Sequence, residues 1–212
     1  MQTRIAARFR RRAHRVYTRF KLALDPVFEA VGDLNDASDR PLLDIGCGLG
    51  LLGLYLRERG FRGQYLGLDT DASKVCEAAH AARDIPEFTV KVGDAAVGLP
   101  EFSGDIALID VLHYLGAADQ RRLLHDAAAR VSPTGRLIVR SVLRARHWRF
   151  RATVWEEHLA RTVGWTPGAA YYPALEDIEA PLRAAGMRVE SHPLWGRTPF
   201  NSYLIVASRD AS

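Results

Sequence analysis

The run Leu42-Leu-Asp44-Ile-Gly46-Cys47-Gly48-Leu-Gly50 ends an apolar stretch in Asp-x-Gly-x-Gly-x-Gly, the pattern of a buried parallel strand turning into a nucleotide-binding loop. Glycines at 46, 48 and 50 permit a tight turn and close approach of backbone to a ligand, and Asp44 offers a charged acceptor at the strand's end. This chemistry is capture of an adenosine cofactor. Further acids follow apolar runs in order: Asp69 closes Tyr65-Leu-Gly-Leu, Asp94 follows Val92-Gly and precedes Ala95, and Asp110 closes Asp105-Ile-Ala-Leu-Ile. Taken singly, a carboxylate in such a place caps a helix or closes a turn; the joint order is what points to a site. His113 lies four residues beyond Ile109, where a side chain faces the crevice of such sheets and can act as a general base, and Tyr114 shapes the same pocket.

The elements that must position these residues are legible from Pro41 onward. Apolar runs near 41–45, 64–69, 88–92, 105–110 and 135–141 read as strands, and helical periodicity near 49–59, 72–83, 118–131 and 175–185 reads as helices. Such alternation predicts a mainly parallel sheet covered on both faces. Two closing strands, Met187-Arg-Val-Glu and Asn201-Ser-Tyr-Leu-Ile-Val-Ala, are too close for a crossover helix and must be antiparallel. Residues 144–172 break the rhythm and read as a lid-like insertion. His147, His158, His192, Trp148, Trp155, Trp165 and Trp195 cluster there and in the C-terminal region, as aromatic walls for a flat acceptor or as lid packing.

At 212 residues, 48% hydrophobic and 25% charged, the chain matches a single globular domain. No window suits a membrane span and no apolar run follows the basic start, so a cytoplasmic protein is expected. Cys47 and Cys76 read as buried thiols without a disulfide framework or a zinc site. The net charge of +4 hides an asymmetry: eight of the 29 basic side chains, and none of the 25 acids, lie in residues 1–24. Ile5, Phe9, Ala13, Val16, Phe20 and Leu24 recur at helical spacing there, predicting one basic amphipathic helix in a segment 1–40 that packs on a domain spanning 41–212. A second acid-free run holds Arg140, Arg144, Arg146, Arg149 and Arg151; such patches face phosphate, acidic protein or lipid headgroups.

Gly48-Leu-Gly50-Leu-Leu-Gly53 also fits the dinucleotide fingerprint, so the glycines alone leave a nicotinamide enzyme open. Over residues 41–208, however, the chain resembles the class I S-adenosylmethionine-dependent methyltransferases: Asp44 to Gly50 is similar to their first motif, Tyr65–Asp69 to the second, Val92-Gly-Asp94-Ala95 to the third and Asp105 to Tyr114 to the fourth. The resemblance implies a Rossmann-like α/β fold with a seven-stranded, mostly parallel sheet, an antiparallel C-terminal hairpin and helices on both faces. It also implies S-adenosylmethionine bound by Asp44, Gly46, Cys47, Gly48, Gly50, Asp69, Asp94, Ala95 and Asp110. Asp69 would accept the ribose hydroxyls and Asp94 would hold the adenine amino group. The physics agrees, since a sulfonium cation with a ribose diol and an adenine amine wants anionic acceptors, whereas a pyrophosphate wants backbone N–H groups and no facing carboxylate.

The strand after Asp110 ends in Arg140-Ser141 rather than further acids, so no metal is expected, and the Asn/Asp-Pro-Pro-Tyr element of many amine methyltransferases is missing after Ile109. Lys21 to Phe28, Asp110 to Leu115 and Gly196 to Ala207 resemble the methyltransferases of bacterial aryl polyene and xanthomonadin-type pigment clusters. That similarity implies a phenolic aryl acceptor, free or tethered to an acidic acyl carrier protein. Competing readings are an RNA methyltransferase with its arginines on phosphates, and a methyltransferase-like binding protein without turnover. The intact glycines and acids speak against the latter.

Overall fold

The chain opens with α1 (Gln2–Ala7), α2 (Arg12–Leu24) and α3 (Val27–Asn35), and then enters a sheet. In the computed structural model, which describes residues 1–35, 38–144, 170–195 and 201–209, that sheet has seven strands. They are β1 (Leu42–Ile45), β2 (Tyr65–Asp69), β3 (Phe88–Val92), β4 (Asp105–Ile109), β5 (Arg136–Val142), β6 (Arg188–Pro193) and β7 (Ser202–Ser208), in the order β3-β2-β1-β4-β5-β7-β6. The first five run parallel, and β7 pairs antiparallel with both β5 and β6, as the short spacing of the two closing strands requires. Helices α4 (Leu51–Glu58), α5 (Ala72–Ala81) and α6 (Ala117–Arg130) make crossovers, and α7 (Leu175–Ala184) precedes the hairpin.

Alternation along the central strands divides the core in two. Leu42 and Tyr65 pack with Phe28, Val31, Leu52 and Leu56 on one face. Leu43, Ile45 and Leu108 pack with Leu124, Ile178 and Leu182 on the other. β1 is buried at every position, because its neighbours β2 and β4 flank it and helices cover both faces. The order also reverses at β1, so the connections leaving β1 and β4 diverge and open a crevice at their carboxyl ends. Register sets Ile45 level with Leu68 and Leu108, which brings Gly46, Asp69 and the turn after Ile109 to one height.

The N-terminal segment departs from the single amphipathic helix that its periodicity predicts. The chain turns back between α1 and α2, and the two helices pack as a hairpin. Ile5 and Phe9 enter the core, whereas the continuing stripe of Val16, Phe20 and Leu24 points outward with 47%, 63% and 54% of its surface exposed. The face that α2 gives to the body is Thr18 and Leu22. Arg4, Arg8 and Arg10 fasten the hairpin to Glu58, Asp84 and Glu77, so these three basic groups serve the fold itself. Other sequence expectations are also corrected. Cys76 is exposed on α5 rather than buried, while Cys47 is buried as expected. The lid-like insertion expected over 144–172 lies, for residues 145–169, outside the described residues. Among the described residues no helix is long and apolar enough to cross a membrane.

Because Phe9 is a fully buried anchor and Phe20 is not, Phe9→Ala should cost about 3–5 kcal/mol in urea denaturation and Phe20→Ala less than about 0.5 kcal/mol.

Candidate functional site

The glycine loop is held by the end of β2. Backbone N–H groups of Gly46 and Cys47 both donate to the Leu68 carbonyl, at 2.7 and 2.9 Å. Gly46 takes φ +74°, and a Cβ there would come within 2.4 Å of Val111 Cγ2, so only glycine meets both demands. Asp69 Oδ2 accepts the N–H of Gly48 at 2.8 Å and its Oδ1 accepts that of Asp71 at 2.9 Å, which fixes the carboxylate and leaves acceptor capacity on each oxygen. Asp94 Oδ1 accepts the N–H of Ala96 at 2.8 Å, closing a turn after β3.

Asp44 is only 2% exposed and its Oδ2 accepts the Tyr65 hydroxyl at 2.6 Å. Burial pushes its carboxyl up to about 7, against the Tyr65 bond and with help from the negative charge of Asp69. Burial likewise raises the thiol of Cys47, with Asp44 and Asp69 adding to the effect.

Asp110 behaves in the opposite sense. It takes φ +61°, an uncommon conformation for a residue with a side chain, directly after β4. Its Oδ2 pairs with Arg140 and lies 3.5 Å from Lys21 Nζ. Asp25 completes a half-buried quartet, 2.7 Å from Lys21 and 3.7 Å from Arg140. Burial alone would raise Asp110, but Arg140 and Lys21 outweigh it and hold the carboxyl below the usual range. The same pairing keeps Lys21 and Arg140 charged, against burial that would lower them. Asp110 Oδ1 and Arg140 Nε are buried without a hydrogen-bond partner among the described residues.

Lys21, Asp25 and Arg140 are site residues that the sequence reading missed. Arg140, expected in a patch facing an anion outside, is instead buried in β5 and ion-paired. The signal was an arginine inside the apolar run Leu137–Val142, level with Ile109 and hence with the acid that follows it.

A cavity of about 420 Å³ opens over the carboxyl ends of β1, β2 and β4, within the range of small-ligand sites. Asp44, Gly46, Cys47, Gly48, Asp69, Asp94, Ala95, Asp110 and Tyr114 all line it. Two expected residues do not. Gly50 instead starts α4 at φ +68°, packed towards Ala78 and Phe88. His113 is buried behind the wall, because Leu112–Tyr114 form a 3-10 turn that advances about 120° per residue and presents Tyr114 to the cavity. The His113 ring packs 4.1 Å from that of Tyr114, and its Nδ1 has no hydrogen-bond partner among the described residues. Burial lowers its pKa, with Arg140 and Lys21 adding to the effect and Asp110 opposing it, so the imidazole is neutral at pH 7. Of the aromatic and histidine cluster, His147, His158, Trp148, Trp155 and Trp165 lie outside the described residues. Trp195 stands edge-on to Tyr203, and His192 is exposed on β6.

The same fold occurs in solved structures. An O-methyltransferase family protein from Burkholderia thailandensis matches with TM-score 0.72 and 17% identity over 100% of this chain and 64% of its own. The pyocyanin biosynthetic protein PhzM matches with TM-score 0.69 and 21% identity over 93% of this chain and 58% of its own. The chain thus spans about three fifths of the length of these two proteins. Magnesium protoporphyrin IX methyltransferase from Synechocystis, solved with bound SAH, matches with TM-score 0.67 and 21% identity over 87% of this chain and 82% of its own. No curated protein sequence matches the chain. Residues 42–135 match the family model described as a methyltransferase domain.

That match runs from β1 through α6, and the solved structures share the fold in which it sits.

The residues present fit the S-adenosylmethionine that the sequence resemblance implies. The cavity sets carboxylates against what is a cation and leaves acceptor capacity on Asp69 for a diol. The raised Asp44 carboxyl has a measurable consequence. A folded pKa of about 7 above an unfolded value near 3.8 means that the native state binds the extra proton between those values, so Asp44 costs stability progressively as pH rises through that window. In the absence of cofactor, Asp44→Asn should therefore gain melting temperature relative to the parent as pH rises from about 4 to about 7, with the difference levelling off above.

Proposed function

We propose that this protein is a methyltransferase that transfers the methyl group of S-adenosylmethionine to the hydroxyl of a small aryl acceptor. The observation that carries the reading is the two-sided lining of the cavity, carboxylates around the glycine loop and Tyr17, Phe28, Ile109, Tyr114 and Leu115 elsewhere on the wall. The O-methyltransferase and pyocyanin-biosynthetic neighbours of the fold support an acceptor of small-molecule size.

S-Adenosylmethionine brings a methyl group already activated on a cationic sulfur, so what remains for the protein is alignment and exclusion of water. Asp69 receives the ribose hydroxyls, its carboxylate held in place by the N–H groups of Gly48 and Asp71. Asp94, on the lip of the cavity, receives the adenine amino group through the oxygen not engaged by Ala96. Phe28 and Leu52 close the apolar side against water. Tyr114 and Asp110 border the acceptor end, and the quartet holds Asp110 ionised there. As the aryl oxygen takes the methyl group, the carbon–sulfur bond breaks to leave the neutral thioether and the hydroxyl proton passes to solvent at the mouth of the cavity; alignment, rather than proton removal by His113, supplies the rate, because the His113 ring is one layer behind the wall.

Asp69→Asn removes the charge from two hydrogen bonds of about 1.5–3 kcal/mol each and should weaken cofactor binding on the order of 100-fold in calorimetry, with a lower melting temperature as well because the new NH2 faces one of the two N–H donors of Gly48 and Asp71. His113→Gln should keep methyl transfer within about tenfold of the parent, against the roughly 100-fold or greater loss expected on removing a general base. The deciding experiment is mass spectrometry of phenolic acceptors incubated with isotope-labelled cofactor. Label on an aryl oxygen is the expected result; label found only on amines or RNA would overturn the reading.

A further inference from the structure

The outward stripe of α2 is the feature that neither the core nor the cavity explains. A helix of a globular protein turns its apolar side inward, yet here Val16, Phe20 and Leu24, spaced four residues apart, all face solvent. Large aliphatic and aromatic groups exposed in a row mark an interaction surface rather than scatter. Arg12 and Arg19 are exposed on the same helix, and residues 1–24 contain no acid. Tyr17 and Lys21, one residue beyond Val16 and Phe20 and so about 100° further round the helix, line the cavity. The ridge therefore borders the cavity that binds the ligand.

We propose that α2 docks this protein on an anionic lipid surface, with Val16, Phe20 and Leu24 entering the headgroup boundary and Arg12 and Arg19 meeting the phosphates, so that the cavity opens beside the membrane. An apolar ridge rimmed by arginines is what lets a helix lie in that boundary. A second copy of this chain fits the face poorly, because a two-fold pairing would bring the arginines of both helices together along a seam to which residues 1–24 contribute no acid. A protein partner would meet a convex ridge of separated side chains rather than a pocket for anchors. The inference is independent of which acceptor is methylated.

Vesicle sedimentation tests it. The full chain should pellet with phosphatidylcholine vesicles enriched in phosphatidylglycerol, stay in solution with phosphatidylcholine alone, and be released by salt. Phe20→Ser combined with Leu24→Ser should lower the vesicle partition coefficient by about tenfold or more, while cofactor binding and melting stay unchanged because neither side chain is in the core. Arg12→Gln with Arg19→Gln should weaken binding and flatten its salt dependence. No binding to anionic vesicles, or binding that the Phe20 and Leu24 variant retains, overturns the proposal. So does a solution mass showing self-association that the same variant abolishes, or binding of an acidic carrier protein through this ridge without any to vesicles.

Discussion

Two carboxylates and two cations meet where four parts of the chain converge. Lys21 comes from α2, Asp25 from the turn before α3, Asp110 from the end of β4 and Arg140 from β5. Taking such groups out of water is costly, and the cost is offset only when every charge has its partner. The quartet meets that condition by crossing from the N-terminal helices to the sheet, so those helices cannot shift without breaking the Lys21–Asp110 and Asp25–Arg140 contacts. Tyr17, Lys21 and Phe28, which wall the cavity, are held in place by this constraint. It also holds Asp110 in its left-handed conformation, a strain that the paired charges support.

Within one cavity, two carboxylates are driven in opposite directions by their surroundings. Asp44 has a tyrosine hydroxyl, low dielectric and a neighbouring negative charge, and its carboxyl rises. Asp110 is less enclosed, and with two cations beside it its carboxyl falls. Near neutral pH the cavity therefore keeps a firm negative charge at Asp110 and an adjustable one at Asp44. The cationic cofactor proposed for this cavity would meet both, and Asp69 is fixed by backbone donors rather than by charge. The site thus separates geometry, which the glycine loop and β2 supply, from charge, which the N-terminal helices help to set.

The strand-to-loop pattern, the acids closing successive strands and the antiparallel final hairpin were legible in the sequence because each depends on neighbours close in the chain. A glycine with positive φ, an apolar run of strand length or a short connection declares itself locally, and Gly46, Asp44 and Asp69 stand in the structure where that logic puts them. The order of acids along the chain becomes a ring in space because the parallel register levels the strand ends.

What the chain could not declare by itself is whatever depends on the far side of a contact. The periodicity of residues 5–24 is real, yet the reversal between α1 and α2 splits one stripe into a buried half and an outward half, and α1 packing against the body decides which is which. Arg140 reads as a surface cation until β5 carries it beside Asp110. His113 and Tyr114 are adjacent in sequence, and the 3-10 turn after β4 decides which of them lines the cavity. Sequence alone therefore determined the fold class and the acids around the crevice, since backbone geometry and hydrophobic period are short-range. Tertiary structure alone decided which charges are buried together and which faces look outward, since those are settled by pairings and packing between residues far apart in the chain.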